Sequence, residues 1–246
     1  MAVQLESAAR LAALRDKADA VTGESSATLA GAVDALIAGF GSGGGTGENW
    51  LDYVSGMQSM FGGAALPEIV DITVGSKAPS FTGGASYAFI NTTGVKQLKW
   101  DIGCNTTGFS MDSCFRNCSA EILELPFLET TPITTFNRCF QEMSNLREIR
   151  TPINASGNPS FNYCFNTYGC AANIELVMFV PGTIMASISF GYCGKLNDTS
   201  IQSIVDGLAD LTGGTAQTLT LNATVGAKLT DAQKTAISAK NWTVTY

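Results

Sequence analysis

The chain contains no histidine in 246 residues. That absence removes Ser-His-Asp and Cys-His nucleophile systems, HExxH zinc sites and imidazole pH switches. Charge is scarce as well: 14% of residues are Asp, Glu, Lys or Arg, against ~25% in an average soluble domain. With 14 basic and 21 acidic residues, the formal net charge is −7. A nucleic-acid surface needs clustered Lys and Arg, so no nucleic-acid partner is expected. No run approaches the ~18 apolar residues of a membrane span, so no membrane insertion is expected. The opening stretch from Met1 to Leu11 has no basic segment followed by an apolar one. It does not read as a secretory leader, and assembly in a cytoplasm is expected.

Apolar material is plentiful, at 45% of residues, alongside 26 glycines and many Ser, Thr and Asn. Low charge with this composition points to a β-rich, repetitive or assembly-embedded protein. The seven cysteines all lie between Cys104 and Cys193. Their odd number forbids complete pairing within the chain.

Residues 1–40 have a helical pattern. An Ala/Leu-rich segment carrying Leu11 and Leu14 stops at Thr22-Gly23, and Ser25-Ser26 then caps a second stretch with Leu29, Val33, Leu36 and Ile37 at three- and four-residue spacing. Two helices this short are marginal alone, so they are expected to anchor the protein by packing on other copies or other proteins, with folding back onto the repeats as an N-terminal cap the alternative. Residues 41–47, Gly-Ser-Gly-Gly-Gly-Thr-Gly, read as a flexible linker. Gly39, Gly41 and Gly44 match G-x-G-x-x-G, but a helical pattern rather than a strand precedes them, and the dinucleotide reading fails. Trp50, Leu51, Tyr53, Val54, Met57 and Met60 follow at helical spacing.

A repeat then begins. Met60-Phe61, Ala88-Phe89, Cys114-Phe115, Cys139-Phe140 and Cys164-Phe165 recur, the last three 25 residues apart, and Tyr192-Cys193 continues the series less regularly. Each Phe is followed by a strand-like run: Ile69–Val74, Leu98–Ile102, Ile122–Leu125, Leu146–Ile149 and Ile174–Val177. Pro126, Pro152 and Pro181 follow three of them. One strand per ~20–29 residues is the signature of a leucine-rich-repeat solenoid, in which each unit buries its apolar face only by stacking on its neighbours. Cys114, Cys139 and Cys164 would then form a ladder of buried thiols.

The stretches Ser113-Cys-Phe-Arg-Asn-Cys-Ser-Ala-Glu-Ile-Leu-Glu-Leu-Pro126 and Arg138-Cys-Phe-Gln-Glu-Met-Ser-Asn-Leu-Arg-Glu-Ile149 resemble the BspA-like, Treponema-type leucine-rich repeat, over roughly residues 57–180. Past that region, Thr199–Leu211 reads as an amphipathic helix, Thr218–Leu221 as a strand, Leu229–Lys240 as a helix capped by Thr230, and Trp242–Tyr246 as a strand. This succession resembles a terminal segment of repeat proteins encoded by phages and prophages of Gram-positive bacteria, and physically it is a cap on an open solenoid end. The N-terminal helix pair resembles a module at the start of tail and other virion proteins. The expected fold class is therefore an α+β repeat: a leucine-rich-repeat-type solenoid with one parallel strand per repeat, an N-terminal helical module and a C-terminal α/β cap. The expected divisions are an anchoring module (1–40), a linker (41–47), the solenoid (48–195) and the cap (196–246).

Candidate sites are few. Zinc needs four ligands at one point, whereas a ladder spreads the cysteines along an axis. The thiols are read as reduced core residues, with a Cys164–Cys170 disulfide as the alternative, and no metal or cofactor is expected. Carboxylates on the strands bring glycoside hydrolysis to mind, yet no isolated pair stands out from the repeat. Asp71, Thr73, Lys99, Asp101, Glu124, Glu148 and Arg150 are read as a solvated outer face that could recognise a cell-surface or glycan ligand, with Trp100 pointing inward. What the resemblances imply is a non-enzymatic structural protein of a phage particle, from the tail, baseplate, fibre or head decoration, displaying the repeat domain for surface or host attachment. It would be held by other virion proteins and by its own copies. The alternative is a bacterial cell-surface adhesin, which would need a leader and an anchoring domain. A glycan-acting enzyme is the third reading.

Overall fold

A computed structural model describes residues 58–73, 84–101, 109–130, 133–165 and 173–246. The N-terminal stretch with Leu11, Leu14, Leu29, Val33, Leu36 and Ile37, the glycine linker, and Cys104 and Cys170 lie outside the described residues.

Strands recur once per chain turn and pair in parallel. β1 (Ile69–Thr73), β2 (Gln97–Asp101), β4 (Ile122–Glu124) and β6 (Glu148–Ile149) form one sheet in that order. Its register aligns Val70 with Leu98, Leu98 with Leu123, and Leu123 with Ile149, steps of 28, 25 and 26 residues. A single bridge from Glu148 to Leu176 adds a fifth rung. The run at Ile174–Val177 therefore contributes one paired residue rather than a strand, and the run at Leu146–Ile149 pairs only over its last two residues. Val70, Leu98, Leu123, Ile149 and Val177 are buried, as alternation on a half-buried strand requires.

Between strands each turn of chain makes the same bend. Tyr87, Ser113, Arg138 and Tyr163, each two residues before a Phe, all have φ between 53° and 61°. Asn91, Asn117 and Glu142, two residues after a Phe, repeat the left-handed conformation. Such φ values cost of order 1–3 kcal/mol each in non-glycine residues and persist only when the surroundings over-determine them. Here the next turn does so. The Phe89 amide donates to the Cys114 carbonyl (2.7 Å), Phe115 to Cys139 (3.0 Å), and Tyr87, Ser113 and Arg138 to Asp112, Asn137 and Asn162 (2.9–3.0 Å). At Gly94 (φ +84°) a Cβ would lie 2.4 Å from the Leu66 carbonyl oxygen, so only glycine fits there.

The bend drops each Phe into the interior. Rings of Phe61, Phe89, Phe115, Phe140, Phe165 and Phe190 follow one another at centroid distances of 4.9, 5.3, 6.0, 5.5 and 5.0 Å, close to the ~4.8 Å spacing of paired strands. Phe190, not the exposed Tyr192, supplies the sixth ring. Cys193 therefore occupies the place of Cys118, three residues after its Phe: the Cys193 amide donates to Phe190 O, and that of Cys118 to Phe115 O, both at 2.9 Å. A second, smaller sheet pairs β3 (Phe109–Ser110) with β5 (Ile133–Thr135) and continues through a Thr135–Ser160 bridge. A short helix, α1 (Phe127–Thr130), lies between β4 and β5.

A third parallel sheet joins β7 (Ile188–Phe190), β8 (Gln217–Leu221) and β9 (Trp242–Thr245), so strand pairing runs on past residue 195. Three helices connect these strands: α2 (Asp198–Gly207), α3 (Ala223–Gly226) and α4 (Asp231–Ala239). Asn197 caps α2, and Thr230 with Gln233 forms a reciprocal capping box on α4. Helix α2 ends at Gly207, four residues short of the sequence expectation. A Cβ at Gly207 would lie 2.8 Å from that of Phe179, so the helix lies close against the preceding turn.

Candidate functional site

The sequence-selected residues fall on the outer face of the first sheet. With Val70, Leu98, Leu123 and Ile149 inward, alternation turns Asp71, Lys99, Glu124 and Arg150 outward. Parallel register places Asp71 beside Lys99 and Lys99 beside Glu124, and the β4–β6 register carries the column on to Arg150. The column reads acid, base, acid, base. The Lys99 ammonium lies 3.3 Å from the Asp71 carboxylate, and the Arg150 Nε lies 2.6 Å from Glu148 two residues earlier on the same face. Thr73 and Asp101 are paired in register at the far end of the strands, with Asp101 half-buried. Trp100 points inward and is fully buried, edge-on to Phe89, Phe115 and Phe127.

A second charge ladder was not anticipated. Glu68, Lys96, Glu121, Arg147 and Glu175 occupy the residue just before or within the first paired position of successive strands, and they also alternate in sign. Glu68 contacts Lys96, and Arg147 donates to Glu121 at 2.9 Å. The Glu68 carboxylate, by hydrogen bonding and by its charge, raises the Lys96 ammonium above its ordinary range. The backbone beneath is equally regular. The Glu68 carbonyl accepts from both Lys96 and Gln97, that of Lys96 from Glu121 and Ile122, that of Glu121 from Arg147 and Glu148, and that of Arg147 from Glu175 and Leu176. The signal was available in the sequence as a sign alternation at the repeat period, but it appears only when the columns are aligned on this position rather than on the strand centres.

These columns set the chemistry of the face. Cross-strand opposite charges support register at roughly 0.2–1 kcal/mol per pair, and exposed ion pairs contribute little more. The carboxylates of Glu68, Asp71, Glu121 and Glu148 each face a base. The face therefore sets each base against an acid and keeps a small acidic excess, suited to short-range contacts rather than to long-range capture of an anionic polyelectrolyte.

The thiols form an interior column. Cys114, Cys118 and Cys139 are buried and unbridged, and Cys164 and Cys193 are buried too. Burial pushes the Cys114 and Cys139 thiols well above their ordinary range, with neighbouring thiols adding to it, and raises Cys118. Among the described residues no three Cys, Asp or Glu side chains converge as a metal site would require, and no helix is long and apolar enough to cross a membrane.

The chain matches no known protein family, no characterised protein and no solved structure.

Proposed function

We propose that this chain is a non-enzymatic structural protein of a phage particle, a tail, baseplate, fibre or head-decoration component, whose repeat domain is displayed for attachment to a surface. On this reading the repeat domain is a leucine-rich-repeat-type solenoid closed by a C-terminal α/β cap. The observation that carries it is the unbroken stack of six phenylalanine rings, the first five of which each have a parallel rung in the first sheet. Such a body is stiff along its axis and offers long, regular faces, which is how repeat proteins present binding surfaces. The sign-alternating columns of the outer face, with each base set against an acid, fit a display surface better than a site that must hold one group at a shifted pKa. The resemblance of the terminal segments to phage-encoded and virion proteins supports the location. Leu11, Leu14, Leu29, Val33, Leu36 and Ile37 are proposed to hold the chain to other virion proteins and to its own copies.

Immunogold electron microscopy of particles purified from the strain that encodes the chain tests the proposal. Label at a defined position on particles is expected, and a chain truncated to residues 48–246 should be missing from them. Label confined to the cell envelope would replace this reading with the adhesin. Label found only in the soluble cell fraction would overturn both.

A further inference from the structure

The ladder of the second sheet is interrupted. It runs through β3, β5 and the Thr135–Ser160 bridge, and among the described residues no pairing joins Ser160 to β7, where the third sheet starts. The interior does not share the break: Phe165 stacks on Phe190 at 5.0 Å. The gap is therefore confined to the surface, and it opens as a cleft of about 330 Å³ between Ser160–Asn162 on one side and β7 and β8 on the other. This size falls at the lower end of the ~300–1,000 Å³ of small-molecule sites.

The lining is rich in hydroxyls and contains no charged side chain among the described residues. Ser160, Asn162, Ser187, Ser189 and Thr218 line the cleft together with the half-buried Phe161. Several of these groups are fixed. The Ser187 hydroxyl donates to Gln217 Oε1 at 2.8 Å and accepts from the Thr218 amide at 2.9 Å. The hydroxyls of Ser160 and Ser189 each accept from the amide two residues on, at 3.4 Å, which leaves their protons to donate outward. Phe161 is held by Phe136, Phe165 and Phe179 at 5.2, 6.2 and 6.0 Å.

We propose that this cleft is a binding site for a neutral saccharide. Fixed hydroxyls and an amide beside an aromatic surface match a ligand that is itself a ring bearing hydroxyls on its rim and C–H groups on its faces. An anionic ligand would be desolvated with no Lys or Arg to receive it. An extended peptide would add to a strand edge through alternating backbone donors and acceptors; the Phe161 carbonyl already accepts from Cys164 at 3.0 Å, and those of Ser160 and Asn162 are turned to Phe136 and Arg138 of the preceding turn at 2.8 and 2.9 Å, so a peptide would find amides alone there and is the competing outcome of the test. The proposal gives the attachment reading a ligand class and rests on that reading only for its biological setting, because the site is assayed on the purified chain.

Saturation-transfer NMR and glycan-array binding of the full chain supply the test, with chitotriose, maltotriose and galactobiose as neutral probes and sialyllactose and a heparin tetrasaccharide as anionic ones. At least one neutral probe is expected to bind. Ser160→Trp, which fills the cleft from an exposed position, and Asn162→Ala should each weaken it roughly tenfold or more, about 1.4 kcal/mol, while Lys234→Ala on the exposed side of α4 leaves it unchanged. Unchanged thermal unfolding of the variants separates loss of the site from loss of the fold. Failure of every neutral probe, binding confined to anionic probes, or binding untouched by both cleft variants would overturn the proposal. So would capture of an extended hexapeptide in place of saccharide. Loss of the particle assignment alone would not.

Discussion

Cys139 lies in the middle of the thiol column, fully buried, with its ionised form disfavoured by burial and by the thiols of Cys114 and Cys164. In the unfolded chain the same thiol titrates near ~8.5. Above that pH the folded state keeps a proton that the unfolded state has lost, so stability falls as pH rises, by up to about 1.4 kcal/mol per pH unit for each such thiol until the folded group itself ionises. Below the unfolded value the contribution is fully present. Urea unfolding between pH 8 and 10 should therefore fall more steeply for the native chain than for Cys139→Ala, although the variant starts from lower stability because it leaves a small void. Equal slopes would mean that burial leaves this thiol's titration unchanged.

At the scale of elements, the first sheet needs an end. The rung at Leu176 would present bare amides on its outer edge, a template for unwanted strand addition. Helix α2 covers it with hydroxyls instead of another strand. Ser200, fully buried, accepts from the Val177 amide at 3.0 Å and donates to the Glu175 carbonyl at 2.9 Å, and Ser203 accepts from the Phe179 amide at 2.9 Å. Ser200→Ala leaves the buried Val177 amide without its partner, while the Glu175 carbonyl keeps the Asn197 amide at 2.9 Å, a loss of about 1–3 kcal/mol. Chemical denaturation should show that loss for Ser200→Ala and a smaller one for the less buried Ser203→Ala. A neutral Ser200→Ala would place the edge closure elsewhere.

Across the whole molecule, the ring stack is the continuous element, passing from the first described turn to β7 while the surface ladders start and stop around it. Phe140 sits at its centre, within 5.5–6.2 Å of Phe115, Phe136 and Phe165. Removing a fully buried ring costs about 3–5 kcal/mol. Phe140→Ala should lower the urea midpoint accordingly, and Phe140→Leu should recover much of the loss. A cost below about 1 kcal/mol for Phe140→Ala would show that neighbouring turns support themselves without the stack.

Which residues repeat, and at what period, was legible in the sequence, because a stacked turn must place the same side chain types at the same places: Cys-Phe pairs inward, a short apolar run next, and charges outward. The capping box of α4 was equally legible, since Thr230 and Gln233 act on backbone groups three residues away. Pairing between turns was decided by the tertiary structure. Tyr192 and Phe190 are both aromatic and two residues apart, and only the positions of Phe165 and the Cys193 amide select Phe190 for the stack. The alternation of Glu68, Lys96, Glu121, Arg147 and Glu175 gains meaning only once register sets each charge against the next. The cleft beside Phe161 is further still from local sequence. It exists because two ladders fail to meet across 28 residues, from Ser160 to Ile188, and a missing pairing is a property of how distant strands pack.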